Sequence, residues 1–327
     1  MSEIITAGQF QTDADMDHAA VKAMSEIRID RAMRCLTEAH GDGYAAYQGD
    51  CVDVVRQLPD RSIDFAVYSP PFSGLYIYND SEADMGNSAN DREFLEHYQF
   101  LVSELFRVMR PGRIVAVHCK DLVFYKNQRG TAGLRDFPGM LIRAHEDAGF
   151  TFHSRVTIWR DPVREMTKTK AHGLFYKQLR ADSSFSRQGL PEYFVVFRKW
   201  ANELDEADVS PVTKTRNDYP LQWWQETASP VWMNTRETDV LNAHRDPLEE
   251  RHICPMPLDI TTRATCLWSN PGDIVLSPFM GIGSEGYVAL KHKRRFVGVE
   301  LKESYWRQAS RHLANAESGA VDLFDAA

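Results

Sequence analysis

"DIVLSPFMGIGSEGYVALKHKRRFVGVEL", residues 273–301, is the stretch that decides the fold. Ile274 to Leu276 are consecutive apolar residues of the kind that make a buried strand. The loop "PFMGIGSEG" follows, and its Gly281 and Gly283 permit tight turns and close approach of backbone to a ligand. A helix comes next, and then a second strand, "RRFVGVEL", that ends at Glu300. Two strands joined by a helical crossover pair in parallel. The helix start offers free N–H groups. A carboxylate about 20 residues beyond the loop, at a strand's carboxyl end, can accept two hydrogen bonds from ribose hydroxyls. Together these features predict an adenosine-containing cofactor. "GIGSEG" also fits the G-x-G-x-x-G pattern, which is weak by itself, so a nicotinamide dehydrogenase would also explain the glycine loop and Glu300.

Outward from this unit the same rhythm repeats. Towards the N-terminus, "YAAYQ", "IDFAVY", "RIVAVHC" and "TFHSRVTIW" read as strands, separated by helical segments such as "DCVDVVRQL", "DREFLEHYQFLVSELFRVMR" and "FPGMLIRAHEDAGF". "EYFVVFRKW" adds a strand expected to be antiparallel at a sheet edge, and residues 13–40 read as a helix stopped by "GDGY". Alternating helix and apolar strand predicts an α/β fold with a mostly parallel sheet and an antiparallel edge hairpin. Between 201 and 251 the periodicity fails, and Trp223, Trp224 and Trp232 sit among Pro, Thr and Asn, where a small local core is expected. The chain divides into an N-terminal helical segment (1–43), a first half-domain (44–200), an irregular insert (201–251) and a second half-domain (252–327).

With 327 residues, 43% hydrophobic and 26% charged, the chain has ample material for a core and the balance of an ordinary soluble protein. No apolar run approaches a membrane span and no signal pattern opens the chain, so a cytoplasmic protein without a membrane partner is expected. Five scattered cysteines without a C-x-x-C pair argue against a zinc site or a disulfide framework, and no metal is expected. The net charge of −8 is no nucleic-acid signature, yet residues 155–199 hold ten Lys/Arg against four acids, a local excess of six positive charges. Such a stripe can meet phosphate, and on charge alone a solvated basic loop fits equally well.

A second loop carries chemistry. After the strand "IDFAVY" come Ser69, Pro70, Pro71 and Phe72, two prolines where a turn needs one. "SPPF" matches the (D/N/S)-P-P-(Y/F/W) motif of DNA amino-methyltransferases, and "SPFMGIGSEG" matches their cofactor loop. The catalytic motif precedes an irregular segment and then the cofactor loop. In this order, over roughly residues 44–312, the chain resembles the circularly permuted β class, closest to its prophage-borne or orphan members. The resemblance implies a Rossmann-like methyltransferase fold, S-adenosylmethionine as cofactor, double-stranded DNA as substrate, base flipping and a homodimer; a restriction partner is left open. It implies further that the Ser69 side chain and the Pro70 carbonyl accept the two N–H bonds of the target amine. The prolines hold that loop rigid, and Phe72 stacks on the flipped base.

The resemblance also extends the cofactor site. Asp50 is expected to contact the adenine, or to cap the helix "CVDVVRQL", or both. Cys51 lies beside it, His252 and Pro255 are placed at the methionine end, and Ser277, Pro278, Phe279, Gly281, Gly283 and Ser284 form the loop opposite Glu300. Ser69 and Ser277 both stand where Asp is usual. At 277 the missing acid normally helps hold the cofactor's amino group, so another acceptor has to serve. S-P-P is commonest in cytosine-N4 enzymes, while adenine-N6 enzymes dominate the orphan members; adenine N6 is placed first and cytosine N4 second. DNA contact is expected from Arg164, Lys168, Lys170, Lys177, Arg180 and Arg187 and from the insert. A binding relative that has lost catalysis is the main rival, motivated by the two serines. Enzymes acting on protein glutamine or RNA usually place the glycine loop first, and a dehydrogenase leaves "SPPF" unexplained.

Overall fold

In the computed structural model the described residues are 35–71, 85–88, 90–169, 173–201, 209–241, 252 and 254–319. Phe72, Lys170 and the helix expected over 13–34 lie outside them. One nine-stranded sheet organises the molecule. Its strands are β1 (Thr37–His40), β2 (Tyr44–Gln48), β3 (Ile63–Tyr68), β4 (Met109–Cys119), β7 (Thr151–Ile158), β8 (Glu192–Arg198), β9 (Val231–Trp232), β10 (Ile274–Ser277) and β11 (Arg295–Glu300). They lie in the order β1-β2-β11-β10-β3-β4-β8-β7-β9. A separate small hairpin pairs β5 (Leu122–Phe124) with β6 (Gly133–Arg135).

The five strands from β2 to β4 in that order are parallel. Both faces of this central sheet are covered, which is why Ile63 to Tyr68 is apolar and buried almost without interruption. On one face pack α1 (Cys51–Gln57), α2 (Asp91–Val108) and, after the short helix α3 (Lys126–Arg129), α4 (Phe137–Asp147). On the other pack α8 (Leu258–Trp268), α9 (Ser284–Lys291) and α10 (Glu303–Ser318). Asp64 is the exception inside β3. Its carboxylate accepts the Ile274 N–H at 2.9 Å, and Arg113 bridges it to Asp273, at 3.2 and 3.0 Å. One buried guanidinium thus ties together the starts of β3, β4 and β10 and sets their register.

Four expectations are corrected. Thr37–His40 is a strand, not the end of a helix: it pairs antiparallel with β2 from Thr37↔Gln48 to His40↔Ala45, and ladder bonding at the sheet edge overrides a local helical bias. β8 is not an edge strand; it lies antiparallel between β4 and β7, with Phe194 to Phe197 wholly buried. The insert is not wholly irregular, because α7 (Leu221–Thr227) leads into β9, which extends the sheet in parallel with β7. Trp232 therefore belongs to the main core rather than a local one, 5.9 Å from Phe194 and 6.5 Å from Trp268 between ring centres. The basic segment after β7 folds into α5 (Pro162–Thr169) and α6 (Tyr176–Asp182).

Candidate active site

Parallel pairing puts the carboxyl ends of β2, β11, β10 and β3 side by side along one edge, and each strand delivers one motif there. In order these are Gly49–Asp50, Glu300–Leu301, the loop from Pro278, and Ser69–Pro71. They line one open cleft. Asp50, Cys51, Ser69, Pro70, Pro71, His252, Pro255, Pro278, Phe279, Gly281, Ser284 and Glu300 all line it. Residues far apart in sequence thus meet because the sheet is assembled from both ends of the chain.

The glycine loop is held from two sides. Gly281 and Gly283 adopt φ of 53° and 91°, left-handed values that favour glycine. A Cβ on Gly281 would stand 2.7 Å from His252 Nε2, so the loop packs closely against the His252 ring. Glu300 fixes the loop from below: Oε2 accepts the Gly281 N–H and Oε1 the Lys302 N–H, both at 2.9 Å. Phe279 packs on Tyr68 with ring centres 5.8 Å apart, which joins the glycine loop to the strand that carries Ser69.

Asp50 caps α1. Its Oδ1 accepts the N–H groups of Val52 at 2.8 Å and Asp53 at 3.0 Å, while the residue also lines the cleft. Cys51 is buried, and burial beside Asp50 pushes its thiol well above the ordinary range, which keeps it unreactive. Two residues of the expected cofactor set do not line the cleft. Gly283 shapes the turn behind it, and Ser277 is fully buried at the end of β10, where its hydroxyl meets no hydrogen-bond partner among the described residues.

At the loop Ser69–Pro71 the Ser69 hydroxyl donates to the His118 carbonyl at 3.1 Å. This leaves its lone pairs to accept. Below it, His118 Nε2 meets Glu192 at 2.9 Å, and Arg160 Nη2 also donates to Glu192. Despite its burial, Glu192 is held below the usual carboxylate range by His118 and Arg160. Beneath the same loop the Tyr68 hydroxyl meets Tyr98 Oη at 2.8 Å and His145 Nε2 at 3.2 Å, while His145 Nδ1 donates to the Leu141 carbonyl at 2.8 Å. Burial lowers the His145 pKa to about 3, so it stays neutral. None of these supporting residues forms a motif, and no spacing in the sequence signals them. Glu285, Lys302, Tyr305 and Met85 also line the cleft and were missed. Glu285 was legible in principle, as an acid in the first turn after the glycine loop.

Of the basic residues, Arg164 on α5 and Lys177 and Arg180 on α6 are exposed, with the aromatic side chains of Phe175, Tyr176 and Phe185 among them. Lys168 is on α5. Arg187 is partly buried, and its Nη1 donates to the Gln188 carbonyl at 3.3 Å. α5 begins just beyond the carboxyl end of β7, which runs in the same direction as β4, so the stripe starts at the edge that carries the cleft.

A glycine loop, a strand-end acid and a proline-flanked serine thus lie together at the carboxyl edge of an open α/β sheet, the place where such sheets bind their ligands. Residues 63–311 match the family N6_N4_Mtase, described as DNA methylase, and the chain belongs to it. Its cofactor is S-adenosylmethionine, and the cleft suits that molecule. Three carboxylates, Asp50, Glu285 and Glu300, face a space where a ligand rich in hydroxyl donors and positive charge would fit. The type II methyltransferase M.Cfr9I of Citrobacter freundii is 26% identical over 288 residues, covering 86% of this chain and 91% of that one. The orphan methyltransferase M.BamHII of Bacillus amyloliquefaciens is 25% identical, covering 80% and 92%. Among solved structures, a candidate DNA modification methylase of Thermus thermophilus, complexed with S-adenosyl-L-methionine, superposes with a TM-score of 0.59 at 20% identity, covering 83% and 95%. The cytosine-N4-specific PvuII DNA methyltransferase gives 0.58 at 13% identity, covering 87% and 95%. These likenesses bear out the α/β methyltransferase fold. Among the described residues no helix is long and apolar enough to cross a membrane.

Proposed function

We propose that this chain methylates the exocyclic amine of a base flipped out of double-stranded DNA, with adenine N6 as the target. The observation that carries the catalytic role is the Ser69 hydroxyl, aimed by its bond to the His118 carbonyl at the edge where the glycine loop lies. An aromatic amine is a poor nucleophile because its lone pair is delocalised into the ring. Two acceptors on its N–H bonds, Ser69 Oγ and the Pro70 carbonyl, favour the tetrahedral geometry in which that lone pair is available. The bound cofactor supplies an electrophilic methyl group on a positively charged sulfur. Pro70 and Pro71 keep the acceptors in place without loss of entropy during the reaction. Phe72 stacks on the flipped base.

Asp50 and Glu300 take the adenosine half of the cofactor, with Cys51 beside Asp50. His252, Pro255, Pro278, Phe279, Gly281 and Ser284 surround the rest, while Ser277 and Gly283 shape the loop from behind. Arg164, Lys168, Lys170, Lys177, Arg180 and Arg187 meet DNA phosphates, and a homodimer is the working assembly. The four-part division of the chain carries over, with β9 added to the sheet by the insert.

Cytosine N4 is the second reading, and Ser69 itself favours it through the S-P-P form of the motif. The test is mass spectrometry of nucleosides from DNA incubated with the pure protein and S-adenosylmethionine. N6-methyladenine is the expected product. N4-methylcytosine would transfer the assignment to the second base, and no methylated nucleoside on DNA of varied sequence would sink the catalytic reading.

A further inference from the structure

Glu285 stands in the first turn of α9, directly after the glycine loop, and lines the cofactor cleft while only 3% exposed. Its carboxyl group has no ion pair with any described residue. Among the described residues the charge that acts on it is the like charge of Glu300. A buried carboxylate without a cation is costly, because water has been removed and nothing has replaced it. Such a group is kept inside a binding cleft at lower cost when the ligand brings the missing charge. β10 does not offer an acid there: Ser277 at its end lies buried behind the loop and does not line the cleft.

The other ionisable groups of the cleft are already engaged or are themselves acidic. Asp50 caps α1 and Glu300 staples the loop. Lys302 Nζ lies 4.7 Å from the centre of the Tyr305 ring, and the His252 ring packs 4.6 Å from the same tyrosine. Cys51 and Cys254 complete the set.

S-adenosylmethionine carries two positive groups, a sulfonium and an α-ammonium. Only the ammonium has N–H donors, and a carboxylate is matched by charge and hydrogen bonds together. We propose that Glu285 is the anionic partner of the cofactor's α-ammonium group. The assignment rests on S-adenosylmethionine as cofactor and adds a residue that the cofactor motif does not specify. In the free protein, burial and Glu300 push Glu285 up to about 8, so at pH 7 it is largely protonated. Seating the ammonium beside it then expels a proton.

Calorimetry on the full chain tests this with three ligands: S-adenosylmethionine, S-adenosylhomocysteine, and 5′-methylthioadenosine, which lacks the amino-acid portion. Glu285→Gln keeps the side chain's shape and removes its charge. It is expected to weaken the first two at least tenfold and leave the third within twofold. With the wild type at pH 7, the heat of binding S-adenosylhomocysteine should change with the buffer's ionisation enthalpy in the sense of proton release, and with Glu285→Gln it should not. Equal weakening of all three ligands, weakening of S-adenosylmethionine alone, or proton release that survives the substitution would each overturn the assignment. A wild type that binds none of the three would overturn the cofactor reading itself and this assignment with it.

Discussion

A hydroxyl at position 69 does two things at once that a carboxylate cannot. It donates to the His118 carbonyl 3.1 Å away and still has lone pairs free for the amine in the proposed reaction. The serine is therefore matched to its surroundings, and the departure from the usual Asp is no sign of a dead site. Ser69→Ala should lower turnover by roughly 10²–10³-fold, the usual cost of one lost transition-state hydrogen bond, with cofactor affinity unchanged in calorimetry. Ser69→Asp should fare no better, because its oxygens would face the His118 carbonyl as acceptor against acceptor. Activity at or above the wild-type level in Ser69→Asp would show that the His118 contact plays no part in aiming the group.

At the scale of elements, the sheet shows how an insert becomes structural. β9 is two residues long, yet it places Trp232 under the helix α8, where the indole N–H donates to the Thr227 carbonyl at 3.0 Å and Arg263 lies 5.6 Å from the ring centre. Trp232→Ala removes the largest fully buried side chain of the molecule's described part. Its cost should be about 3–5 kcal/mol in denaturant unfolding. Trp224, 55% exposed on α7, should cost less than about 0.5 kcal/mol when changed to Ala. Similar losses at the two positions would mean that the insert folds as a cluster of its own. The expected helix over 13–40 failed at Thr37–His40 for the same kind of reason: the residues of an edge strand have a ladder waiting, and periodicity within one segment does not see it.

For the whole molecule, three buried groups contribute strongly to how stability depends on pH. His145 has an ordinary pKa of 6.5 and a folded one of about 3, so between these values the unfolded chain binds the proton and stability falls as pH drops. Glu285 works in the opposite sense. Its ordinary value is 4.5 and its folded value about 8, so in that window the folded protein holds the proton and stability falls as pH rises. Each slope has a ceiling of about 1.4 kcal/mol per pH unit. Between pH 4.5 and 6.5 the two oppose each other. Glu192, held low by His118 and Arg160, contributes stability that is complete above its ordinary value of 4.5 and is lost progressively as pH falls below it. From pH 6.5 to 8 the slope of Glu285 is left alone among the three. The melting temperature of the cofactor-free protein should therefore fall over that interval, and Glu285→Gln should flatten the fall. A melting curve as steep in the variant as in the wild type would remove Glu285 from this role.

The sequence by itself determined the local units: buried strands, their alternation with helices, the two strand-end loops and the acid at Glu300. Apolar runs, prolines and glycines act through neighbours a few residues away, and that information is present in the order of the residues. Tertiary structure alone decided that β10 pairs with β3 and so sets Phe279 against Tyr68, that β8 runs inside the sheet, and that Trp232 joins the main core. It also decided which acids face the cleft. Glu285 and Ser277 are eight positions apart on one loop and its flanks, yet only the first lines the cleft. The direction of a side chain at a turn follows from how backbone, helix and neighbouring strand pack together, and no spacing along the chain encodes that packing.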